Sequence, residues 1–265
     1  MTRGAVRAVV GLLGAGLLLA GCSQSVDGTV EASSREATTT ETSQTSAPVP
    51  PPPGTPVTAK LAREALLKPS GLGDIIGDTD LRQTATFTQP AQLPDGIAPR
   101  DCAARLLFQE APGADGFEAV VGDNNRGTRG QTAAQMIQVF PETTPVWPEK
   151  GRQALRVAGN IVGMLNGKQC REGTAFSTTA KDVTQHWTAG PVTAENPEAL
   201  VDPRRDTARG GGGAQRQEAP ARNCYHAVLA RANAVVESIV CGDGDSKAQA
   251  NQIVDRIADK LPASR

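Results

Sequence analysis

Few side chains in this chain of 265 residues are suited to chemistry. There are two histidines, His186 and His226, and five cysteines. Hydrolysis by a nucleophilic serine needs a histidine base and often a Gly-x-Ser-x-Gly turn, which the sequence lacks. The zinc-binding spacings His-Glu-x-x-His and Cys-x-x-Cys are also missing. We therefore expect no catalytic residue, no metal site and no cofactor, and a protein that is not an enzyme.

Cys22 follows the one long apolar segment of the sequence. Arg3 and Arg7 precede a run over 8–20 that only glycine interrupts. A basic start, a short apolar core and a small-residue exit are typical of a secretory signal. The core is shorter than the roughly 20 residues that a membrane-spanning helix needs. The exit Leu19-Ala20-Gly21-Cys22 resembles a bacterial lipobox, although an ordinary signal peptide with a chance cysteine is the alternative.

The lipobox predicts where the protein works. Residues 1–21 are expected to be a signal peptide that is cleaved before Cys22. Lipid, including palmitate, would then be attached to Cys22 and anchor the chain to the cell membrane on its extracytoplasmic face. More than one acyl chain is needed for stable anchoring.

Residues 22–57 have the composition of a tether. Serine, threonine, glutamate and proline dominate, and the run ends in Pro50-Pro51-Pro52-Pro53. Such a segment buries too little apolar surface to offset its chain entropy, and its proline part favours an extended polyproline II helix. We expect a disordered, lipidated tether over 22–57 and a folded domain over 58–265.

Four cysteines remain in the folded part, which allows three pairings. If the chain turns at Ala232-Asn233, Cys224 falls directly opposite Cys241 in an antiparallel hairpin. A non-hydrogen-bonded pair at that position has Cα atoms about 4.5 Å apart, which a disulfide accepts. The spacing therefore favours the disulfide Cys224–Cys241, which leaves Cys102–Cys170.

A helix is the competing interpretation of the alanine-rich stretch inside 224–241. It would separate Cys224 and Cys241 by about 25 Å. The β-branched residues near Cys241 favour a strand instead. In the hairpin register, His226 and Glu237 become diagonal neighbours on one face, close enough for a polar contact.

Hydrophobic periodicity and turn residues predict the remaining elements. Helices are expected over 59–67 after the cap Thr58, over 101–108 after the cap Asp101, over 147–165, and over 246–260 after Asp245 or Ser246. Strands are expected over 117–121, 135–140, 175–179 and 185–189. Between these elements we expect a chain break at 69–71 and a turn at 123–127. We also expect a mobile loop over 192–222, which contains Gly210–Gly213. Asp243-Gly244-Asp245 lacks the other ligands of a calcium loop and is better explained by helix capping.

Candidate binding residues are sparse. Trp187 next to His186, together with Arg231 and the His226/Glu237 face, could line a ligand cleft. The alternative is that Trp187 is a core residue and Arg231 a solvated turn residue. The formal net charge is −1 and no basic block is present, so nucleic acid is not an expected partner.

Four segments together give a family resemblance. They are Lys68-Pro69-Ser70-Gly71 with its flanks, Pro99-Arg100-Asp101-Cys102, Trp187-Thr188-Ala189-Gly190-Pro191-Val192, and Cys224-Tyr225-His226-Ala227 through Cys241. In this order they resemble the extracellular sensor domain of the mycobacterial PknH-type serine/threonine kinases, which also occurs in actinobacterial lipoproteins. The resemblance implies an α+β fold, with an antiparallel sheet packed with helices, two disulfides and a cleft for an unknown ligand.

Three functions are consistent with these features. The first is a lipid-anchored extracytoplasmic sensor-like domain that binds a small molecule or a cell-wall component without catalysis. The second is a structural lipoprotein that presents its sheet to a protein partner in the envelope. The third is an envelope hydrolase, which would require a buried histidine–carboxylate pair beside a serine.

Overall fold

The structure is a computed structural model that describes residues 52–92, 95–195, 208–218 and 221–263. The predicted signal peptide, Cys22 and most of the predicted tether lie outside these residues. Contacts to the folded domain begin slightly before position 58. Gly54 N donates to Ala263 O at 2.9 Å, and Val57 N donates to Asn233 Oδ1 at 2.8 Å.

One antiparallel sheet organises the described residues. Its nine strands have the spatial order β1-β3-β4-β9-β8-β7-β6-β5-β2. The strands are β1 (Arg82–Phe87), β2 (Ile97–Ala98), β3 (Ala119–Arg126), β4 (Thr132–Val139), β5 (Ala175–Ala180), β6 (Val183–Glu195), β7 (Arg209–Arg216), β8 (Arg222–Arg231) and β9 (Ala234–Gly242).

Helices cover both faces of the central strands. They are α1 (Ala59–Ala65), α2 (Pro69–Ile76), α3 (Arg152–Leu165), α4 (Ser246–Ala258) and a 3₁₀ helix (Arg100–Arg105). Helices α1, α2 and α4 pack with Tyr225 and Leu229 on one face, the α4 face. Helix α3 packs with Val228 and Val235 on the other face, the α3 face. This arrangement confirms the predicted α+β fold with an antiparallel sheet.

The hairpin β8–β9 has the register that the cysteine spacing predicted. Cys224 pairs with Cys241, and Arg231 pairs with Ala234 across the turn. The buried Asn233 side chain fixes this turn, because its Nδ2 donates to Val57 O at 3.1 Å and to Phe140 O at 2.7 Å. The competing helical interpretation of this stretch is therefore wrong.

Both predicted disulfides are present in the structure. Cys102 and Cys170 join the 3₁₀ helix to the loop after α3, with Cα atoms 5.0 Å apart. Cys224 and Cys241 join the two central strands, with Cα atoms 4.1 Å apart. The first disulfide closes a loop of 68 residues and the second a loop of 17.

The glycine-rich segment expected inside a mobile loop is strand β7 instead. Gly210–Gly213 pair with β6 on one side and with β8 on the other. A Cβ on Gly210 would lie 2.5 Å from Val162 Cγ2, and one on Gly212 would lie 2.8 Å from Arg105 Nη1. Glycine is needed here because neighbouring side chains lie flat against the strand. Residues 196–207, 219 and 220 of the predicted loop lie outside the described residues.

Other local predictions also need correction. The helix expected over 147–165 begins only at Arg152. Pro69 begins α2 in place of the expected chain break, because its fixed φ suits the first helical position. The expected turn at 123–127 is the second half of β3, whose Asp123 and Asn125 are buried. Asp101 is not a helix cap, since its Oδ2 accepts from Gln169 N at 3.1 Å. The caps Thr58 and Asp245 are confirmed by hydrogen bonds to Leu61 N and Ala248 N.

Candidate functional site

His226 and Glu237 contact each other at the centre of the α3 face. His226 Nε2 lies 2.9 Å from Glu237 Oε2, and His226 Nδ1 lies 2.7 Å from Ala104 O. Gln138 Nε2 donates to Glu237 Oε1 at 2.8 Å. A carbonyl oxygen can only accept, so His226 Nδ1 carries a proton and donates to Ala104 O. The two side chains are 1% and 0% exposed.

This buried pair is not arranged as a catalytic dyad. Both ring nitrogens of His226 are already engaged, so neither can take a proton from a nucleophile. Ser238 is next to Glu237 in sequence but projects to the α4 face, since side chains alternate along a strand. The arrangement instead joins β8, β9, β4 and the 3₁₀ helix.

The other predicted binding residues lie apart from this pair. Trp187 is buried on the α3 face, where its ring stacks on Phe176 with centroids 6.2 Å apart. His186 is exposed on the α4 face, and Arg231 is half-buried at the hairpin turn. The structure brings together only His226 and Glu237 of these five residues. Ligand binding by the set stays a prediction.

A first cleft of about 320 Å³ opens on the α4 face, where β6–β8 extend beyond α4. Its floor is largely backbone and small side chains, because Gly190, Gly213 and Ala214 lie there. Tyr225 and Pro191 provide apolar surface. The polar groups around it are Gln215, Asn223, Asp245, Ser246 and Lys247.

Tyr225 is fixed at the edge of the first cleft. Its hydroxyl lies 2.7 Å from Thr193 Oγ1 on β6, so the ring crosses β7. A Cβ on Gly211 would lie 2.6 Å from the Tyr225 ring, which explains the glycine at this position. Lys247 Nζ lies 6.0 Å from the centroid of the same ring. The cleft wall is therefore preorganised by contacts within the sheet.

A second cleft of about 340 Å³ lies on the other side of the loop between β9 and α4. Gly244 belongs to both clefts. The polar groups of the second cleft are Arg129, Gln131, Asp243 and Gln249. Arg129 Nη2 donates to Gly77 O at 2.6 Å, and Gln131 Nε2 donates to Asp243 Oδ1 at 3.2 Å.

Arg105 supports the floor of the first cleft from the α3 face. Its Nη1 donates to Gly190 O at 2.9 Å and to Gly213 O at 2.8 Å, and its Nη2 donates to Cys170 O at 3.1 Å. Burial lowers the pKa of Arg105 to about 10, so the side chain is still cationic at neutral pH. One guanidinium thus joins β6, β7 and the first disulfide.

A buried carboxylate lies on the opposite face. Asp123 accepts from Gln135 Nε2 at 3.0 Å and from Asn125 Nδ2 at 2.6 Å. Burial raises the pKa of Asp123, and the hydrogen bonds from Gln135 and Asn125 oppose this rise. Gln135 Nε2 also donates to Leu67 O at 2.7 Å, so the network positions the segment between α1 and α2.

Sequence reasoning missed the residues around the two clefts. They come from β6, β7, β8, the turn between β3 and β4, the end of β9 and the loop after it, the start of α4 and the end of α2, which are distant in sequence. The segment Asp243-Gly244-Asp245 is the one local pattern in the sequence that drew attention to this region. Helix capping explains Asp245 but not Asp243. The described part of the chain contains no group of three or more metal-ligating side chains. It also contains no helix long and apolar enough to span a membrane.

These observations define a class of protein. A disulfide-linked antiparallel sheet, covered by helices and open at a polar cleft, is an α+β domain suited to an oxidising compartment. The chain matches the family of PknH-like extracellular domains over residues 57–260. It therefore belongs to that family, which is not a known family of enzymes, and is a sensor-like domain of the extracytoplasmic space.

A solved structure of another member of the family supports the same fold. The crystal structure of the extracellular domain of PknH from Mycobacterium tuberculosis matches with a TM-score of 0.62 and 21% sequence identity. The match covers 78% of this chain and 97% of that chain. An uncharacterised protein from Mycobacterium smegmatis matches with a TM-score of 0.32 and 12% identity, over 71% of this chain and 95% of that chain. The comparison with curated proteins gave no match.

Proposed function

We propose that this protein is a lipid-anchored, non-catalytic sensor-like domain that binds a ligand of the cell envelope in the first cleft. Membership of the family of extracellular domains supports the compartment. The single observation that carries ligand binding is the first cleft itself, which has apolar surface from Tyr225 and Pro191 and convergent polar groups. The contacts of Tyr225 with Thr193 and of Arg105 with Gly190 fix the wall and the floor of this cleft.

The positions of the two histidines support binding without catalysis. The two ring nitrogens of His226 are engaged in the interior. The other histidine, His186, is exposed and does not line the first cleft. The cleft offers amides, a hydroxyl and two opposite charges, which suit recognition rather than proton transfer to a nucleophile.

Native mass spectrometry of the full-length protein, isolated from membranes of its own host, tests ligand binding. We expect a small molecule to leave the protein when the complex is activated in the gas phase. Gly213→Leu should abolish this species, because the new side chain fills the cleft while its Cβ meets no atom closer than 3.6 Å. Gly163→Leu, on the exposed side of α3, is the matched control and should retain it. The same ligand bound by both variants would contradict the proposed site, and recovery of a protein partner without a small molecule would favour the structural function.

Anchoring is tested separately at Cys22. We expect the mature amino-terminal peptide to begin at Cys22 and to carry acyl chains. Cys22→Ser should move the protein from the membrane fraction to the soluble secreted fraction. An unmodified Cys22 in a protein that remains on the membrane would contradict the lipid anchor.

A further inference from the structure

The two clefts that share Gly244 have four polar side chains of matching type, and the first cleft also has Ser246. Each has one cation, one carboxylate and two side-chain amides. In the first cleft these are Lys247, Asp245, Gln215 and Asn223. In the second they are Arg129, Asp243, Gln131 and Gln249. The same set on both sides of one residue suits a ligand whose own units repeat.

The charges in each cleft balance. Lys247 and Asp245 line the first cleft, and Arg129 and Asp243 line the second. Arg129 Nε also lies 4.0 Å from Asp78 Oδ2. Asp245 Oδ1 also accepts a hydrogen bond from Ala248 N at the start of α4, so this oxygen is partly occupied by the helix cap. Neither cleft therefore presents an excess of one sign, and electrostatic complementarity favours an uncharged ligand.

The amides indicate what kind of uncharged ligand fits. A side-chain amide both donates and accepts, and so does a hydroxyl group. Gln215 and Asn223 stand directly opposite each other on β7 and β8, and both are exposed. In the second cleft, Gln131 is 7% exposed and its Oε1 is an acceptor without a partner among the described residues. These groups suit a ligand rich in hydroxyls.

Gly244 is the connection between the clefts. It is exposed and lines both of them. A Cβ at this position would lie 3.1 Å from Gln249 Nε2, so any side chain would crowd the Gln249 amide where the two clefts meet. Without one, a linear ligand can pass from one cleft to the other over the loop.

We infer that the two clefts together bind one linear, uncharged, hydroxyl-rich polymer, namely a neutral glycan strand, with sugar units on both sides of Gly244. This inference rests on the proposed function and names its ligand class. The cleft volumes of about 320 and 340 Å³ each lie at the small end of ligand sites, which suits short segments of a longer chain.

The inference is tested with oligosaccharides of defined length and charge. Calorimetry would use the full-length chain in a detergent without a sugar headgroup. It would compare N-acetylglucosamine with its hexamer, and glucose with its two hexamers maltohexaose and cellohexaose. We expect at least one neutral hexamer to bind at least about tenfold more tightly than its monomer, because linked subsites gain from effective concentration. The cationic hexamer of glucosamine and an anionic hexamer of galacturonate should bind more weakly than the neutral hexamers.

Substitutions distinguish the contribution of Gly244, where the clefts meet, from that of the side chains that line the clefts. Gly244→Leu should reduce the affinity for the hexamer to that of the monomer, whereas Gly163→Leu should leave both unchanged. Gln215→Met and Gln249→Met should each weaken binding of the hexamer, and Gln83→Met on the distant edge strand β1 should not. Loss of hexamer binding in Gly163→Leu would contradict the site. An unchanged affinity of Gly244→Leu for the hexamer would also contradict it.

The outcomes distinguish this inference from the proposed function. Affinity that does not rise with length would overturn the two-cleft site. Preference for a charged hexamer, or no binding of any of the neutral hexamers, would overturn the ligand class. In either case, the proposed function would stand if the wild-type protein carries a host small molecule that Gly213→Leu does not bind. If the wild-type protein carries no small molecule, both the proposed function and this inference would be overturned.

Discussion

His226 Nε2 and Glu237 Oε2 lie 2.9 Å apart on adjacent central strands, and both side chains are shielded from solvent. Their remaining polar atoms bind the 3₁₀ helix and β4 through Ala104 O and Gln138. The pair therefore couples four elements around the α3 face, namely β8, β9, β4 and the 3₁₀ helix. Removing one partner leaves the other buried without its hydrogen bond, which costs more than removing both.

Glu237→Leu should lower the free energy of unfolding by about 3–5 kcal/mol, because His226 is left buried and uncompensated. The double variant His226→Phe/Glu237→Leu should lose less than the sum of the two single variants. Urea denaturation of the four proteins in a double-mutant cycle measures this coupling. Additive losses would show that the pair does not act as a unit.

Gly211→Ala should destabilise the protein by about 1–3 kcal/mol through overpacking. The new Cβ would lie 2.5 Å from His226 O and 2.6 Å from the Tyr225 ring, so β7 or the ring has to shift. Gly213→Ala is the matched control on the same face, since its Cβ meets nothing closer than 3.6 Å. Thermal unfolding compares the two, and equal effects would argue against Tyr225 packing across β7.

The contrast between the hairpin and β7 shows what the sequence could predict. The hairpin register follows from local spacing, because an antiparallel turn at Ala232-Asn233 makes Cys224 face Cys241. Strand β7 does not follow, since a run of glycines indicates a loop by composition. Its glycines fit because Val162, Arg105 and Tyr225, all distant in sequence, occupy the space that side chains would need.

The same reason limits what could be predicted of the site. The contact between His226 and Glu237 follows from the register, but their burial depends on the 3₁₀ helix and Phe108, whose ring lies 5.5 Å from that of His226. Pairwise spacing therefore predicts contacts within the hairpin. It does not predict which face the other elements cover, nor where a cleft remains open.

Asp123→Asn should change the pH dependence of stability. The pKa of Asp123 is raised in the folded state, so the folded protein holds its proton more tightly than the unfolded chain. Wild-type stability should then fall as pH rises from the unfolded pKa, about 3.9, through the raised folded pKa. The Asn variant does not lose stability in this way. Its free energy of unfolding should therefore rise relative to that of the wild type over this pH range.

Urea unfolding at a series of acidic to neutral pH values measures this difference. Asp74→Asn, on the exposed side of α2, shows the effect of an ordinary surface carboxylate. A relative stability of Asp123→Asn that stays constant, or falls as pH rises, would contradict the raised pKa.

Removing the disulfide Cys102–Cys170 should destabilise the protein more than removing Cys224–Cys241. The loops contain 68 and 17 residues, and longer loops lose more entropy in the unfolded chain. The entropic model gives a difference of about 1 kcal/mol. Denaturation of the two double Cys→Ala variants measures it, and the reverse order would show that strand pairing at Cys224 outweighs loop entropy.

Arg105→Lys should lower stability by about 3 kcal/mol or more, because buried carbonyls lose charged hydrogen bonds. A lysine ammonium cannot reproduce the fork that reaches Gly190 O, Gly213 O and Cys170 O together. Arg100→Lys, at an exposed ion pair with Asp95, is the matched control and should change stability by less than about 1 kcal/mol. Amide hydrogen exchange should also quicken in Arg105→Lys at β6 and β7 beneath the first cleft, while α4 keeps its protection. Uniform quickening across the domain would show that Arg105 contributes to global stability without specifically supporting the cleft floor.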